Sequence, residues 1–347
     1  MTAPITIDGS SGGGQMLRNA VALSTVTGNP VRVNNIRAAR PRPGLRPQHL
    51  AAVRAAAAIC SASVTGAEIG SRTVEFRPGG IAPGARWRFD VGTAGSVLLV
   101  LQSILPALAR AGSGSTLTLA GGTDVPFAPP FDYFAHVLAP ALVPMGLRLE
   151  ARLNRRGFYP KGGGEIEVSV RPSEAIRAFS LTERGPVAAI QGLCYSQGLP
   201  GHVVSRMRDS ASEELAAAGH GRPQIETEVV EAGPSEGCGL VLWAQCREGR
   251  LGADALGRRG LPAEEVGRAA ARRLSAELSS GAAVDEHLGD QLIVWMAMAD
   301  GPSTMTVSRV SDHMRSAVEV AEAVAGARFT LEEGPPARVK CEPGRRR

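Results

Sequence analysis

The chain has 347 residues, 44% of them hydrophobic, and a net charge of +5. That length exceeds one small core and calls for two domains, or for one domain carrying an insertion. Aromatic residues make up 4% of the chain, which argues against broad base-stacking platforms.

Five cysteines (Cys60, Cys194, Cys238, Cys246, Cys341) are scattered without a CxxC pair, so neither a disulfide framework nor a zinc site is indicated. The opening MTAPITIDGSSGGG has no basic start followed by an apolar stretch. No apolar run reaches about 18 residues, so no membrane span is expected and the cytoplasm is the expected compartment. The positive charge fits a phosphate-rich partner, and it equally fits a chain that is simply Arg-rich, with Arg345, Arg346 and Arg347 supplying part of it.

Along the chain, apolar spacing predicts a helix over Gly14–Val26, a Gly28-Asn29-Pro30 stop, a strand over Val31–Ile36, a polar loop over Arg37–Pro47 and a helix over Gln48–Cys60. The plan returns as a helix over Gly95–Arg110, a strand over Thr116–Leu119, a loop over Gly121–Pro130 and a helix over Phe131–Val143. It returns again as Asp290–Ala299, Thr304–Val310, Ser311-Asp312 and His313–Val324. Repeated α/β units around a common centre are therefore expected. Residues 183–278 break the rhythm with strands at Ala188–Cys194 and Leu240–Cys246 and helices at Val203–Ala217 and Ala263–Leu278. They are read as a smaller inserted α/β domain. This leaves 1–182 and 279–340 as the repeated-unit domain and 341–347 as a basic tail.

Several residues have chemistry to offer. Gly12-Gly13-Gly14 precedes a helix and Gly162-Gly163-Gly164 follows Tyr159-Pro160-Lys161; each is either a tight turn or a phosphate cradle, and neither fits a nucleotide fingerprint. Arg37, Arg40, Arg42 and Arg46 share a loop stiffened by Pro41, Pro43 and Pro47, with Arg18 one turn into the first helix. That is a polyanion site or a solvated basic loop. His313 opens the last helix behind the cap candidates Ser311 and Asp312, where the helix dipole disfavours the imidazolium. No Ser-His-Asp spacing or HExxH supports a hydrolase.

Five stretches share a pattern: Arg37-Ala-Ala-Arg-Pro-Arg-Pro-Gly-Leu-Arg-Pro-Gln48-His49-Leu50; Gly92-Thr-Ala-Gly95-Ser with Gln102; Gly121-Gly-Thr-Asp124 with Ala128-Pro-Pro130; Arg156-Gly-Phe-Tyr-Pro-Lys-Gly-Gly-Gly164; and Glu286-His-Leu-Gly-Asp290-Gln291. In this order they resemble the RNA 3′-terminal phosphate cyclase family over nearly the whole chain. The resemblance implies repeated units of two helices on a four-stranded sheet, with a small α/β domain inserted before the last repeat. It implies ATP and a divalent Mg²⁺ or Mn²⁺ as cofactors, and an RNA with a 3′-phosphate as partner. The reaction implied is cyclisation to a 2′,3′-cyclic phosphate through a covalent histidine–AMP and an RNA-adenylate. His313 would be the nucleophile. Gln102, Pro130, His287, Asp290 and Gln291 would line the adenosine pocket, and Gln15, Arg18, Arg37, Arg40, Gln48 and His49 would hold phosphates or substrate.

There are departures. Relatives usually read DGxxGEGGGQ near the N-terminus, whereas Asp8-Gly-Ser-Ser-Gly-Gly-Gly-Gln15 is shorter and lacks the Glu that the resemblance assigns to the metal. The metal ligands are thus left open, as is the oligomeric state. Two rival readings are a non-catalytic cyclase-like ribosome-assembly factor, which would lack the histidine, and an enolpyruvyl transferase, whose fold also repeats an α/β unit.

Overall fold

The structure is a computed structural model describing residues 2–344. The first unit shows how the sequence writes its turns. The helix α1 (Gly13–Thr27) ends where Gly28 enters the left-handed region at φ 74° and donates its N–H to the Ser24 carbonyl. The alternating strand β2 (Val31–Asn34) then returns parallel to β1 (Ile5–Asp8). After α2 (Pro47–Cys60) comes the antiparallel pair β3 (Ser63–Thr65) and β4 (Val74–Arg77), and the sheet order is β1-β2-β4-β3.

The second unit repeats this topology: β5 (Arg86–Asp90), α3 (Val97–Ala109), β6 (Ser115–Gly121), a helix, then β7 (Arg148–Arg155) and β8 (Gly164–Arg171), in order β5-β6-β8-β7. Its second helix runs as α4 (Phe131–Tyr133), a π-helical turn at Phe134–Leu138, and α5 (Ala139–Leu142). The third unit begins with the two-residue β9 (Ser180–Leu181). It resumes far downstream with α8 (Glu286–Ala297), β14 (Ser303–Val307), α9 (Asp312–Ala325), β15 (Arg328–Glu332) and β16 (Ala337–Glu342), in order β9-β14-β16-β15.

Between β9 and α8 lie β10 (Val187–Gln197), α6 (Gly201–Ala217), β11 (Gln224–Val230), β12 (Gly237–Cys246), β13 (Arg250–Leu256) and α7 (Ala263–Ser279). Their sheet has a different order, β11-β10-β12-β13, and its own apolar core with α6 and α7. The interruption therefore falls inside the last unit, after its first strand, and not ahead of it as expected. Val284 bridges to Arg250 on one side and Val307 on the other, tying the two sheets together.

A second correction concerns the tail expected at 341–347. β16 runs through Glu342 and Cys341 is 1% exposed, so alternating burial carries the chain into the core up to that point. Arg345, Arg346 and Arg347 lie outside the described residues.

The helices of the three units pack together: α1 on α3 and α9, α2 on α3, α8 on α9. Each sheet turns one face inward, as in β8, where Ile166, Val168 and Val170 are buried between polar neighbours. In α3 every residue is buried except Gln102. A helix apolar on nearly all sides belongs in the centre of a fold; Ser103 turns its hydroxyl back onto the Leu99 carbonyl, and Gln102 reaches Gln291 on α8. All five cysteines are free and buried, and no helix among the described residues is long and apolar enough to cross a membrane.

Candidate active site

Ser311 caps α9, its Oγ accepting the Met314 N–H at 2.9 Å, and it donates to Asp290 Oδ1 at 2.6 Å. His313 thus occupies the second helical position, exposed, at the positive end of the helix dipole. Partial removal from water lowers its pKa, and Arg18, His287 and Arg40 lower it further, against a small opposing pull from Glu286. A neutral imidazole with a free lone pair is the result at neutral pH. These neighbours place the first unit and α8 around it.

α8 begins at Asp285, which caps the helix by accepting the Leu288 N–H at 3.0 Å and also accepts from Tyr133 Oη at 2.7 Å. The Tyr133 bond ties the helix that Pro130 starts to the beginning of α8. One turn on, Gln291 Nε2 donates to the His287 carbonyl at 2.9 Å, and its Oε1 accepts from Gln102 Nε2 at 2.5 Å. Burial pushes the Asp290 carboxyl up to about 7, partly offset by its bond from Ser311. Gly289 explains how α8 and α9 approach so closely: a Cβ there would sit 2.8 Å from Val307 Cγ2 and 2.9 Å from Met314 Cε.

On the first unit, Gly13 takes φ 60° and the Arg40 guanidinium lies beside it. His49 packs its ring on Gly14, where a Cβ would meet Nε2 at 2.1 Å, and Nδ1 accepts the Arg46 N–H at 3.2 Å. Burial, with Arg18, Arg37 and Arg46, pushes its pKa down to about 3. Arg18 is partly buried, and burial lowers its pKa to about 10. It has no ion pair or hydrogen bond among the described residues. A desolvated guanidinium without a counter-charge fits a bound anion. The Gln15 side chain shares that helix and likewise makes no hydrogen bond among the described residues.

Two expected phosphate holders are engaged internally. Arg37, at φ 55°, donates from Nη1 to the carbonyls of Arg42 at 2.7 Å and Gly44 at 3.0 Å, bracing its own loop. Gln48 Oε1 accepts the Ser96 N–H at 2.8 Å and so bolts α2 to the start of α3. The structure therefore gathers His313, Arg18, Arg40 and His287 around one point, with Gln102, Asp290 and Gln291 alongside, while Arg37, Gln48 and His49 shape the wall.

Residues 10–331 match the family described as RNA 3′-terminal phosphate cyclase. The chain belongs to that family. Relatives carrying that name include one from Caldivirga maquilingensis, 47% identical over 91% of both chains. One from Archaeoglobus fulgidus is 48% identical over 90% of this chain and 93% of its own. One from Pyrococcus abyssi is 45% identical over 97% of this chain and 98% of its own. Among solved structures, the enolpyruvyl transferase NikO from Streptomyces tendae aligns over 97% of this chain and 65% of its own. At a TM-score of 0.28 and 12% identity it bears on neither fold nor function.

In this member of the cyclase family the Arg156–Gly164 motif does work that sequence reasoning missed. Arg156 is 2% exposed. Its Nη1 donates to Asp132 at 2.7 Å and Asp124 at 3.4 Å, its Nη2 to Glu228 at 2.9 Å, and its guanidinium lies 3.7 Å over the Tyr195 ring. Burial opposes its charge, but the carboxylates outweigh it and hold the pKa above the ordinary value. Asp124 and Asp132 belong to the second unit, Glu228 and Tyr195 to the insertion, so the cluster joins the two. Ser235 reinforces the joint, accepting the Phe158 N–H at 2.7 Å and donating to the Gly162 carbonyl at 2.9 Å. The sequence showed the Arg156–Gly164 motif but not the partners of its arginine.

The side chains do not build a metal cage: among the described residues no group of three or more His, Cys, Asp or Glu could hold an ion. Asp8, the carboxylate of the shortened loop, already accepts from Ser10 N and Asn35 Nδ2, each at 3.1 Å.

Proposed function

We propose that this protein converts an RNA 3′-phosphate to a 2′,3′-cyclic phosphate at the expense of ATP, as an RNA-processing enzyme of the cytoplasm. The observation that carries the reading is the neutral His313 at a helix start beside the uncompensated Arg18.

His313 attacks the α-phosphorus of ATP. A nitrogen–phosphorus bond forms, the bond to the bridging oxygen breaks, and pyrophosphate leaves with the electron pair while the ring gives up its N–H proton. Arg18 and Arg40 offset the negative charge that grows on the departing oxygens. Gln102, Gln291, Asp290, His287 and Pro130 hold the adenosine. The RNA 3′-phosphate then displaces the imidazole, which recovers a proton, and carries AMP away as an RNA-adenylate. The adjacent 2′-hydroxyl attacks the 3′-phosphorus, loses its proton to solvent, and expels AMP. That last step is intramolecular, so its entropy cost is already met within one nucleotide. Among the described residues no three His, Cys, Asp or Glu side chains are grouped to hold an ion, so Mg²⁺ or Mn²⁺ would be held chiefly by ATP oxygens and water and, when bound, would offset the charge of the phosphates.

The test is incubation with α-labelled ATP, then with RNA ending in a 3′-phosphate. Label on the protein that is lost in His313→Ala, and a cyclic end on the RNA, are the expected results. An unlabelled protein would favour a non-catalytic relative.

A further inference from the structure

We infer that the single-stranded RNA leading into the reacting end stacks its bases on Phe127 and Tyr159, an inference that rests on the cyclase reading. Of the few aromatic side chains, these are the two among the large hydrophobics left exposed, Phe127 at 103% and Tyr159 at 67%. Phe127 also takes φ 65°, a left-handed conformation that a bulky residue adopts at a cost. Its ring is fully exposed, so packing does not offset that cost, and backbone strain held in place by its surroundings concentrates at functional positions.

The surroundings do hold it. The Phe131 N–H closes the loop onto the Thr123 carbonyl at 3.1 Å. Asp124 pairs with Phe158 as an isolated parallel bridge, and the N–H groups of Thr123 and Asp124 both donate to the Gly157 carbonyl, at 2.9 and 3.2 Å. Phe127 and Tyr159 therefore sit on two loops joined at the backbone. The second loop is fixed again by Gly162 N donating to the Phe158 carbonyl at 2.7 Å and by Ser235.

The surface leads to the site. A Cβ on Gly162 would lie 2.8 Å from Ala94 Cα, and one on Gly95 would lie 2.9 Å from Gln48 Cβ. Two glycine contacts thus run from the Tyr159 loop through residues 94–95 to Gln48 on α2, the helix that carries His49. Lys161, exposed and without a partner among the described residues, stands beside Tyr159, and Arg155, 54% exposed, anchors Nε on the Gly163 carbonyl and lies 4.0 Å from Glu165. Rings flanked by cations match the bases and phosphates of a single strand. Two rings do not make a broad platform, which agrees with the low aromatic content.

The experiment measures polarisation of a fluorescent twelve-nucleotide RNA with an unreactive 3′-hydroxyl on the full chain, and in parallel the labelling of His313 by α-labelled ATP. Phe127→Gly and Tyr159→Ala should each weaken the RNA on the order of tenfold and leave labelling at the wild-type level. Phe127→Gly relieves the backbone, so misfolding cannot account for its effect. Phe127→Tyr and Tyr159→Phe should retain affinity. Unchanged RNA affinity in Phe127→Gly and Tyr159→Ala overturns the inference, as does a concentration-dependent oligomer that only these variants lose while RNA affinity holds. Failure of the wild type to label strikes the cyclase reading instead, and the polarisation still decides the surface.

Discussion

Ser311 Oγ donates to Asp290 at 2.6 Å while accepting the N–H of Met314, so the Asp290 carboxyl is coupled to the helix start that carries His313. Burial holds that carboxyl up to about 7 against an ordinary 3.8. A raised carboxyl favours the fold while protonated, fully so below about pH 4, and the contribution is lost as pH rises through about 7. Asp290→Asn keeps the acceptor and removes the titration. Its stability relative to wild type should therefore climb between those two values and then level off. Denaturant midpoints at several pH values check this; parallel curves would show that Asp290 does not titrate there.

Arg18 offers a second reading of the same site. It is the largest charge holding the His313 pKa down. Removing it should move the acid limb of the adenylation rate to higher pH, because the imidazole then keeps its proton longer. Arg18→Gln also loses the proposed phosphate contact, so the rate should fall at every pH. The position of the limb, not its height, is diagnostic, and an unmoved limb would sever the link.

Much of this site was legible because its signals are local. Ser311 and His313 could be read as cap and helix start from adjacent residues, and Gln102 is the one large polar side chain in the apolar run of α3. What escaped depends on distance. The two residues of β9 carry no period of their own, and they become a strand only by pairing with Thr304 and Met305 across the whole insertion. Arg156 gave no hint of its partners because Asp124, Asp132 and Glu228 come from separate elements. Gln48 looked like a ligand group, yet its amide oxygen is used by Ser96. Cys341 was lost to a tail because a short alternating strand ends against a basic run.

The arginine loop separates two kinds of effect. Arg40 makes no side-chain bond to its loop, whereas Arg37 braces it through Arg42 and Gly44. Arg40→Ala should lower kcat/KM for adenylation by ATP on the order of tenfold, the size of one charge-assisted contact. Arg37→Ala should show a similar loss together with faster proteolysis of residues 37–46. Arg346→Ala, in the terminal run, should leave both unchanged. Equal losses at all three positions would mean that the charge acts only in bulk.

The Arg156 cluster is a matter of stability before catalysis. One guanidinium faces Asp124, Asp132 and Glu228, and burial raises the carboxyl pKa of both aspartates. Removing the cation strands buried carboxylates, a change that costs about 3–5 kcal/mol. Arg156→Ala should therefore unfold at a lower temperature. The deficit should have a definite pH dependence: with the cation gone, the aspartates favour the fold only while protonated, so the loss is smaller at acid pH and grows as pH rises. Asp132→Asn should be far milder, since the guanidinium keeps Asp124 and Glu228. Because the cluster joins the second unit to the insertion and does not touch His313, adenylation by Arg156→Ala measured well below its melting temperature should stay near wild type. Melting curves at pH 5 and pH 8 with parallel labelling decide it: a deficit independent of pH would remove the electrostatic account, and lost labelling in the folded variant would move Arg156 into the active site.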